Sequence, residues 1–289
     1  MPTIPDERPA VAATSEPDQQ CEGSRRRFLR MLVIELGIVA LGAFTYVFVR
    51  DLTQGSPERA VQNAYRLLHV EQLLGIDEER SLVDFTVARP WLRDVANWIY
   101  IWGHWPVIIA VATWLFIHHR ERYRWLRNAV FASGMIGFLF FALLPMAPPR
   151  LTGMGYVDTI TVWSSSYRVL QPPSHANLYA ATPSLHFGWD LLVGVALFAS
   201  TSLLVVRILA LVMPTLMAFA VIATANHWVL DVVVGLCVVT VGVAVSELIA
   251  SRGDSAHRRL LLPRRPIEQS RTRPPGRARV AHPTRQPVR

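Results

Sequence analysis

The sequence predicts an all-α integral membrane protein with six transmembrane helices and one interfacial helix, and three observations carry that prediction. Six stretches approach the ~20 apolar residues needed to cross a bilayer; they run roughly 29–49, 95–117, 127–146, 185–203, 205–224 and 228–250. The arginines gather at the chain ends and in short connections that six crossings would place on one side. Most tryptophans (Trp91, Trp98, Trp102, Trp105, Trp163 and Trp228) fall near the opposite boundary, as an interfacial aromatic belt does.

Bulk composition alone would not have decided the class. Of 289 residues 52% are hydrophobic, close to the range of soluble domains, and it is their concentration into uncharged runs that matters. The formal charge is +8, carried entirely by arginine without a single lysine. A basic excess can mark nucleic-acid binding, but this one follows the span ends, so membrane topology is the better reading and no nucleic-acid partner is expected. Cys21 sits in a polar leader and Cys237 in an apolar run, which argues against a disulfide and against thiolate-bound zinc. No cofactor or metal is expected.

Taken in order, residues 1–24 are rich in Pro, Asp, Glu and Gln and read as a disordered leader. The run after Arg25, Arg26 and Arg27 is long enough to span and lacks a small-residue cleavage site, so it reads as an anchor. A polar segment of about forty-five residues with eight acidic side chains follows. Within it, Val61, Ala64, Tyr65 and Leu68 recur at helical spacing between Pro57 and Leu74, and Gly75 can end the helix; an interfacial helix is the simplest reading. In the second span Asn97, Tyr100 and His104 share one face, as candidate lining of a head-group pocket or as interhelical hydrogen-bonding groups. Residues 146–184 form a long loop rich in Pro, Ser and aromatics. From Ser251 the chain is Arg- and Pro-rich and reads as a disordered tail that touches anionic lipid. The expected organisation is a leader (1–24), a six-span domain (25–250) and a tail (251–289).

Orientation follows from arginine counts. Arg25, Arg26, Arg27 and Arg30, then Arg120, Arg122, Arg124 and Arg127, then Arg207, then eleven arginines in the tail all fall on one side of six crossings. The positive-inside rule makes that side cytoplasmic, with both termini inside a bacterial plasma membrane and loops 51–94, 146–184 and 224–228 outside.

Two segments place polar side chains at the outer mouths of apolar spans. In Ala181-Thr182-Pro183-Ser184-Leu185-His186, Thr182 is a good N-cap with Pro183 at the first helical position. The free amides of that helix start would face an anion such as phosphate, beside Ser184 and His186. In Asn226-His227-Trp228-Val229-Leu230-Asp231, His227 and Asp231 are four apart and share a helix face. A carboxylate on one imidazole nitrogen leaves the other as an oriented base or nucleophile. Asp190, four after His186, could orient that ring in the same way or serve helix packing.

Pro183-Ser184-Leu185-His186 resembles the Pro-Ser-x-His signature of the type 2 phosphatidic acid phosphatase superfamily, and His227 to Asp231 resembles its His-x-x-x-Asp signature. Leu185, together with Pro145-Met146-Ala147-Pro148-Pro149-Arg150, resembles the inositol phosphorylceramide synthase branch. The resemblance covers roughly residues 60–250. It implies His227 as the nucleophile that becomes phosphohistidine, Asp231 holding its ring, His186 as general acid, and Ser184 binding phosphoryl oxygen. The superfamily's first Lys…Arg-Pro signature is absent, and position 221, where an Arg is usual, is Val. Arg150 is then the main candidate phosphate clamp and Arg168 a second. The expected substrate is a phospholipid or a polyprenyl-phosphate-type lipid, with water or an alcohol such as inositol as acceptor. The alternative is a non-catalytic membrane protein of the same fold that binds or transports lipid or acts as a scaffold.

Overall fold

The computed structural model describes residues 16–52, 56–164 and 177–261, which are helical apart from their connections, with one isolated bridge between Met146 and Ala180. The helices are α1 (Glu16–Leu52), α2 (Pro57–Leu74), α3 (Glu79–Val87), α4 (Pro90–Trp102), α5 (Trp105–His118), α6 (Arg120–Leu143), α7 (Thr159–Trp163), α8 (Leu185–Ser200), α9 (Leu204–Ala223) and α10 (Val229–Leu261). By internal contacts residues 1–250 form one unit and 251–289 a second, of which only the helical turns to Leu261 are described.

The expected leader and tail are both shorter than their composition suggests. Helix α1 already runs from Glu16, and α10 continues past Ser251 to Leu261. Glu, Gln, Arg and Ala are good helix formers, so a polar extension of an existing helix adds turns at little cost once the nucleus is formed. Residues 1–15 and 262–289, the rest of both expectations, lie outside the described residues.

Length and composition support four or five of the six expected spans. Among the described residues four helical stretches are long and apolar enough to cross: Arg25–Thr45, Arg120–Leu143, Leu204–Ala223 and Val229–Arg252. The expected second span is a pair, α4 and α5, bent by 43° at Gly103–His104, and makes a fifth if counted as one. Pro106 explains the break, because it has no amide proton for the Trp102 carbonyl and its ring crowds that turn. Helix α8 has 16 residues, about 24 Å at 1.5 Å per residue, and falls short of the ~30 Å hydrocarbon core.

Helix α2 is bounded as its sequence suggests. Ser56 accepts a hydrogen bond from the Arg59 amide at 3.2 Å, Pro57 opens the helix, and Gly75 closes it at φ 66°. Its buried face of Ala60, Asn63, Ala64 and Glu71 packs on Met146, Ala147 and Trp228. Asn63 donates to the Pro145 carbonyl (2.9 Å), and the Trp228 indole donates to the Ala147 carbonyl (2.9 Å).

Helix α8 lies at the centre. Leu192, Val193 and Ala196 pack with Leu115 of α5, Leu126 and Ala129 of α6, and Val239 of α10. Helices α8 and α10 meet at two glycines: a Cβ at Gly188 would lie 2.6 Å from Val239, and one at Gly235 would lie 2.6 Å from the Ser184 carbonyl oxygen. Small residues at a crossing let backbones approach within a membrane, where apolar burial alone favours no partner. Helix α1 sits against α6, where Glu35 accepts from Arg127 (2.6 Å) and Tyr123 (3.2 Å). Its exposed Leu29, Val33, Leu36 and Phe44 suit a lipid-facing surface.

Candidate active site

The connections before α8 and α10 bring the two sequence segments together. The Ser184 amide donates to the Asp231 carbonyl (2.9 Å), so the start of α8 is tied to the first turn of α10. Ser184 itself is the N-cap of α8, which begins at Leu185. Thr182 therefore does not cap the helix, nor does Pro183 open it. The Thr182 hydroxyl is taken instead by Asp231 Oδ1. Ser184 is fully buried and its hydroxyl has no hydrogen-bond partner, although it lies beside the free amides of the first turn of α8.

His227 is held differently from the expectation. Its Nδ1 is 2.7 Å from the Ala181 carbonyl oxygen and 3.4 Å from Asp231 Oδ2. A carbonyl can only accept, so Nδ1 carries the proton and Nε2 keeps a lone pair. The nearer partner that sets the tautomer is thus a backbone oxygen, and Asp231 is a second, longer contact. Asp231 is fully buried; its Oδ2 also accepts from the Trp228 amide (2.9 Å), binding the helix start back on itself.

His186, on the first turn of α8, lies between three rings. Its centroid is 5.8 Å from that of His227, 4.4 Å from His104 and 4.8 Å from Tyr100, the last stacked at 23°. Asp190 does not orient His186: its Oδ1 is 2.8 Å from His104 Nδ1, both side chains are almost wholly buried, and Asp190 Oδ2 has no hydrogen-bond partner. The break between α4 and α5 is what delivers His104 to this position. Tyr100 and His104 therefore flank the proposed acid. Asn97 does not reach it; it donates to the Thr159 carbonyl (3.0 Å) and accepts from the Thr159 hydroxyl (2.8 Å), fixing α7.

Arg150 follows Pro148 and Pro149 in a short 3-10 turn and sits beside the 224–228 connection. Its amide donates to the Ala225 carbonyl (3.1 Å), its Nε to Asn226 Oδ1 (2.9 Å), and one terminal nitrogen lies 3.3 Å from Asp158 Oδ2. Ala225 holds φ 57°, a left-handed conformation costing roughly 1–2 kcal/mol for a residue with a Cβ; it turns the chain from α9 into His227. Arg168 lies outside the described residues.

Two carboxylates absent from the sequence reading complete the surroundings. Glu79 Oε1 accepts from the Val229 amide (2.6 Å) and Glu71 Oε1 from the Leu230 amide (2.7 Å), and both side chains are wholly buried. A sequence signal existed. Glu71 shares the apolar face of α2 with Ala60 and Ala64, and Glu79 shares that of α3 with Val83 and Thr86, where an unpaired charge is out of place. Among the described residues no group of three or more His, Cys, Asp or Glu is arranged to hold a metal ion.

The arrangement sets two imidazoles 5.8 Å apart by their centroids, with the Ser184 hydroxyl and the first amides of α8 next to His186 and the Arg150 guanidinium bonded to Asn226, the neighbour of His227. A family model described as the PAP2 superfamily matches residues 65–245. No curated protein and no solved structure matches the chain.

Proposed function

The chain belongs to the PAP2 superfamily, which is generally one of phosphatases, and from that premise we propose a membrane lipid-phosphate phosphatase or phosphotransferase that works through a phosphohistidine. The observation that carries the proposal is His227. Its Nδ1 proton is committed to the Ala181 carbonyl, its Nε2 lone pair is free, and His186 lies one ring contact away.

In the first half-reaction the Nε2 lone pair of His227 forms a bond to phosphorus as the ester P–O bond breaks. His186, protonated, gives its proton to the departing alcohol oxygen. The positive charge on the His227 ring is shared with the Ala181 carbonyl and Asp231. In the second half-reaction neutral His186 takes a proton from water or an alcohol, whose oxygen attacks phosphorus, and the P–N bond electrons return to Nε2. Charge on the phosphoryl oxygens is met by the Ser184 hydroxyl, the first-turn amides of α8 and Arg150, and such electrostatic stabilisation is usually the largest contribution. Ser184 suits this role because its hydroxyl is buried without a partner in the protein.

The topology that goes with this reading is six crossings, with α4 and α5 as one bent span and α8 as a short central one. Both termini and the Arg120–Arg127 end of α6 are cytoplasmic, and the His186–His227 centre is extracytoplasmic. Leu185 and the Pro148-Pro149-Arg150 turn tilt the ancestry toward inositolphosphotransferases.

The test is purified protein with phosphatidic acid, a polyprenyl phosphate and an inositol phospholipid, wild type against His227→Ala. Phosphate release or head-group transfer that disappears in the variant supports the enzyme. Equal background from both proteins leaves the non-catalytic lipid-binding alternative.

A further inference from the structure

Glu71 and Glu79 come from different helices and converge on the same target, the first two amides of α10. Each carboxyl spends Oε1 on an amide, and each Oε2 is buried with no hydrogen-bond partner. Because they hold the amides of adjacent residues, the two carboxyls are near neighbours, and each acts electrostatically on the other. Two ionised carboxylates in that position would face each other with four acceptors and two donors, next to a third buried carboxylate, Asp231. No arginine or histidine among the described residues is ion-paired with either glutamate. Arg80, on α3, instead gives its guanidinium to the Met154 and Gly155 carbonyls and lies 4.1 Å over the Tyr156 ring.

We infer that Glu71 and Glu79 share a single proton and, as one clamp, hold the first turn of α10 and therefore set where His227 stands against α8. One proton between the two Oε2 atoms satisfies both orphans and leaves one negative charge at a helix N-terminus, where the amide dipoles favour it. Both residues are positioning residues, acting on His227 through the Val229 and Leu230 amides. The clamp stands independently of the reaction; its consequence for turnover rests on the phosphatase reading.

The groups facing the pair are Asp231 from α10 and Tyr156 from the loop after α6, and Arg80 and Asp77 also act on Tyr156. Burial first, then the neighbouring Glu79 and Asp231, pushes Glu71 up to about 9, against the amide of Leu230, which works the other way. Glu79 is raised too, chiefly by burial. A group raised in the folded state stabilises in full below its unfolded value, near 4.5, and that contribution drains away as pH rises through about 9. The clamp therefore loosens on the alkaline side.

The experiment uses full-length protein in detergent and reads amide hydrogen exchange across 226–232, corrected for intrinsic rates, with the unfolding midpoint at each pH. Wild type should lose about tenfold in protection at Val229 and Leu230 between neutrality and the far side of the Glu71 transition, with a falling midpoint. Glu71→Gln and Glu79→Gln each supply an amide donor in place of the proton and keep the accepting oxygen. Both should be protected at neutrality and flat through the same range. The double variant Glu71→Gln/Glu79→Gln sets two NH2 groups against each other and should lose protection at every pH. A wild type that is flat through that range overturns the shared proton. So do single variants that lose protection at neutrality as the double does. Phosphate release from phosphatidic acid is read in parallel. If no protein releases any, the phosphatase reading fails while exchange still decides the clamp; if wild type does, Glu71→Gln should keep its rate on the alkaline side where wild type declines.

Discussion

Gly235→Ala is a one-methyl test of how tightly the two halves of the site are coupled. The added Cβ would lie 2.6 Å from the Ser184 carbonyl oxygen and 3.3 Å from the Ser184 carbonyl carbon, where ordinary contact begins near 3.4 Å. Both obstructing atoms are backbone, so no side chain can swing away, and the start of α8 must retreat by about 0.8 Å. That motion pulls on the Ser184–Asp231 backbone bond and separates His186 from His227. Overpacking of this kind costs ~1–3 kcal/mol, partly offset by ~1 kcal/mol of better helix propensity. The expected stability loss is therefore small, ~0–2 kcal/mol. The rate should suffer more, because a displacement near 1 Å can cost ~100-fold. Gly242→Ala is the control: its Cβ would meet the Ala129 carbonyl at 2.7 Å, about 10 Å further along α10. The assay is thermal unfolding in detergent alongside phosphate release from phosphatidic acid. Gly235→Ala should fold and lose ~100-fold in kcat, while Gly242→Ala should lose comparable stability and stay within a few-fold in rate. A Gly235→Ala protein with wild-type kcat would refute the reasoning.

The buried His104–Asp190 pair should act on His186 as a unit, so Asp190→Asn, His104→Ala and the double variant should each lose a similar ~10–100-fold in kcat; additive losses in the cycle would contradict this. Arg150→Lys keeps the charge but cannot hold Asn226 and Asp158 with a planar fork, and should raise KM for the lipid phosphate ~10-fold with little change in kcat. An unchanged KM would remove Arg150 from the substrate site.

Much of the architecture was legible in the chain because local rules agreed with the global outcome. Ser56, Pro57 and Gly75 bound α2 by capping chemistry that is visible in sequence, and the long apolar runs became helices. The two polar segments stood out because polar residues interrupted apolar runs, and the structure joins them through the Ser184–Asp231 backbone bond. The choice of partners was not legible. Spacing of four places Asp190 on the face of His186, but which neighbour occupies that face depends on the break at Gly103–His104, and the break brings His104 to Asp190 first. The same limit applies to His227: Asp231 is one turn away, yet the nearer acceptor, the Ala181 carbonyl, arrives from forty-six residues upstream. Thr182 has the chemistry of a cap and was drawn away by a stronger acceptor, the Asp231 carboxylate. Glu71 and Glu79 show the remaining gap, since the pattern marks them as misplaced charges without saying what they hold.

The central claim is that Nε2 of His227 becomes covalently phosphorylated. Wild-type protein mixed briefly with phosphatidic acid, quenched in alkali and digested, should yield a phosphorylated peptide spanning 225–231 with the modification on His227, absent from His227→Ala. It should build up in His186→Ala if the first half-reaction is supplied with a good leaving group, because that variant lacks the base for the second. Turnover of the lipid with no phosphohistidine at His227, or with the label on another residue, would contradict the account.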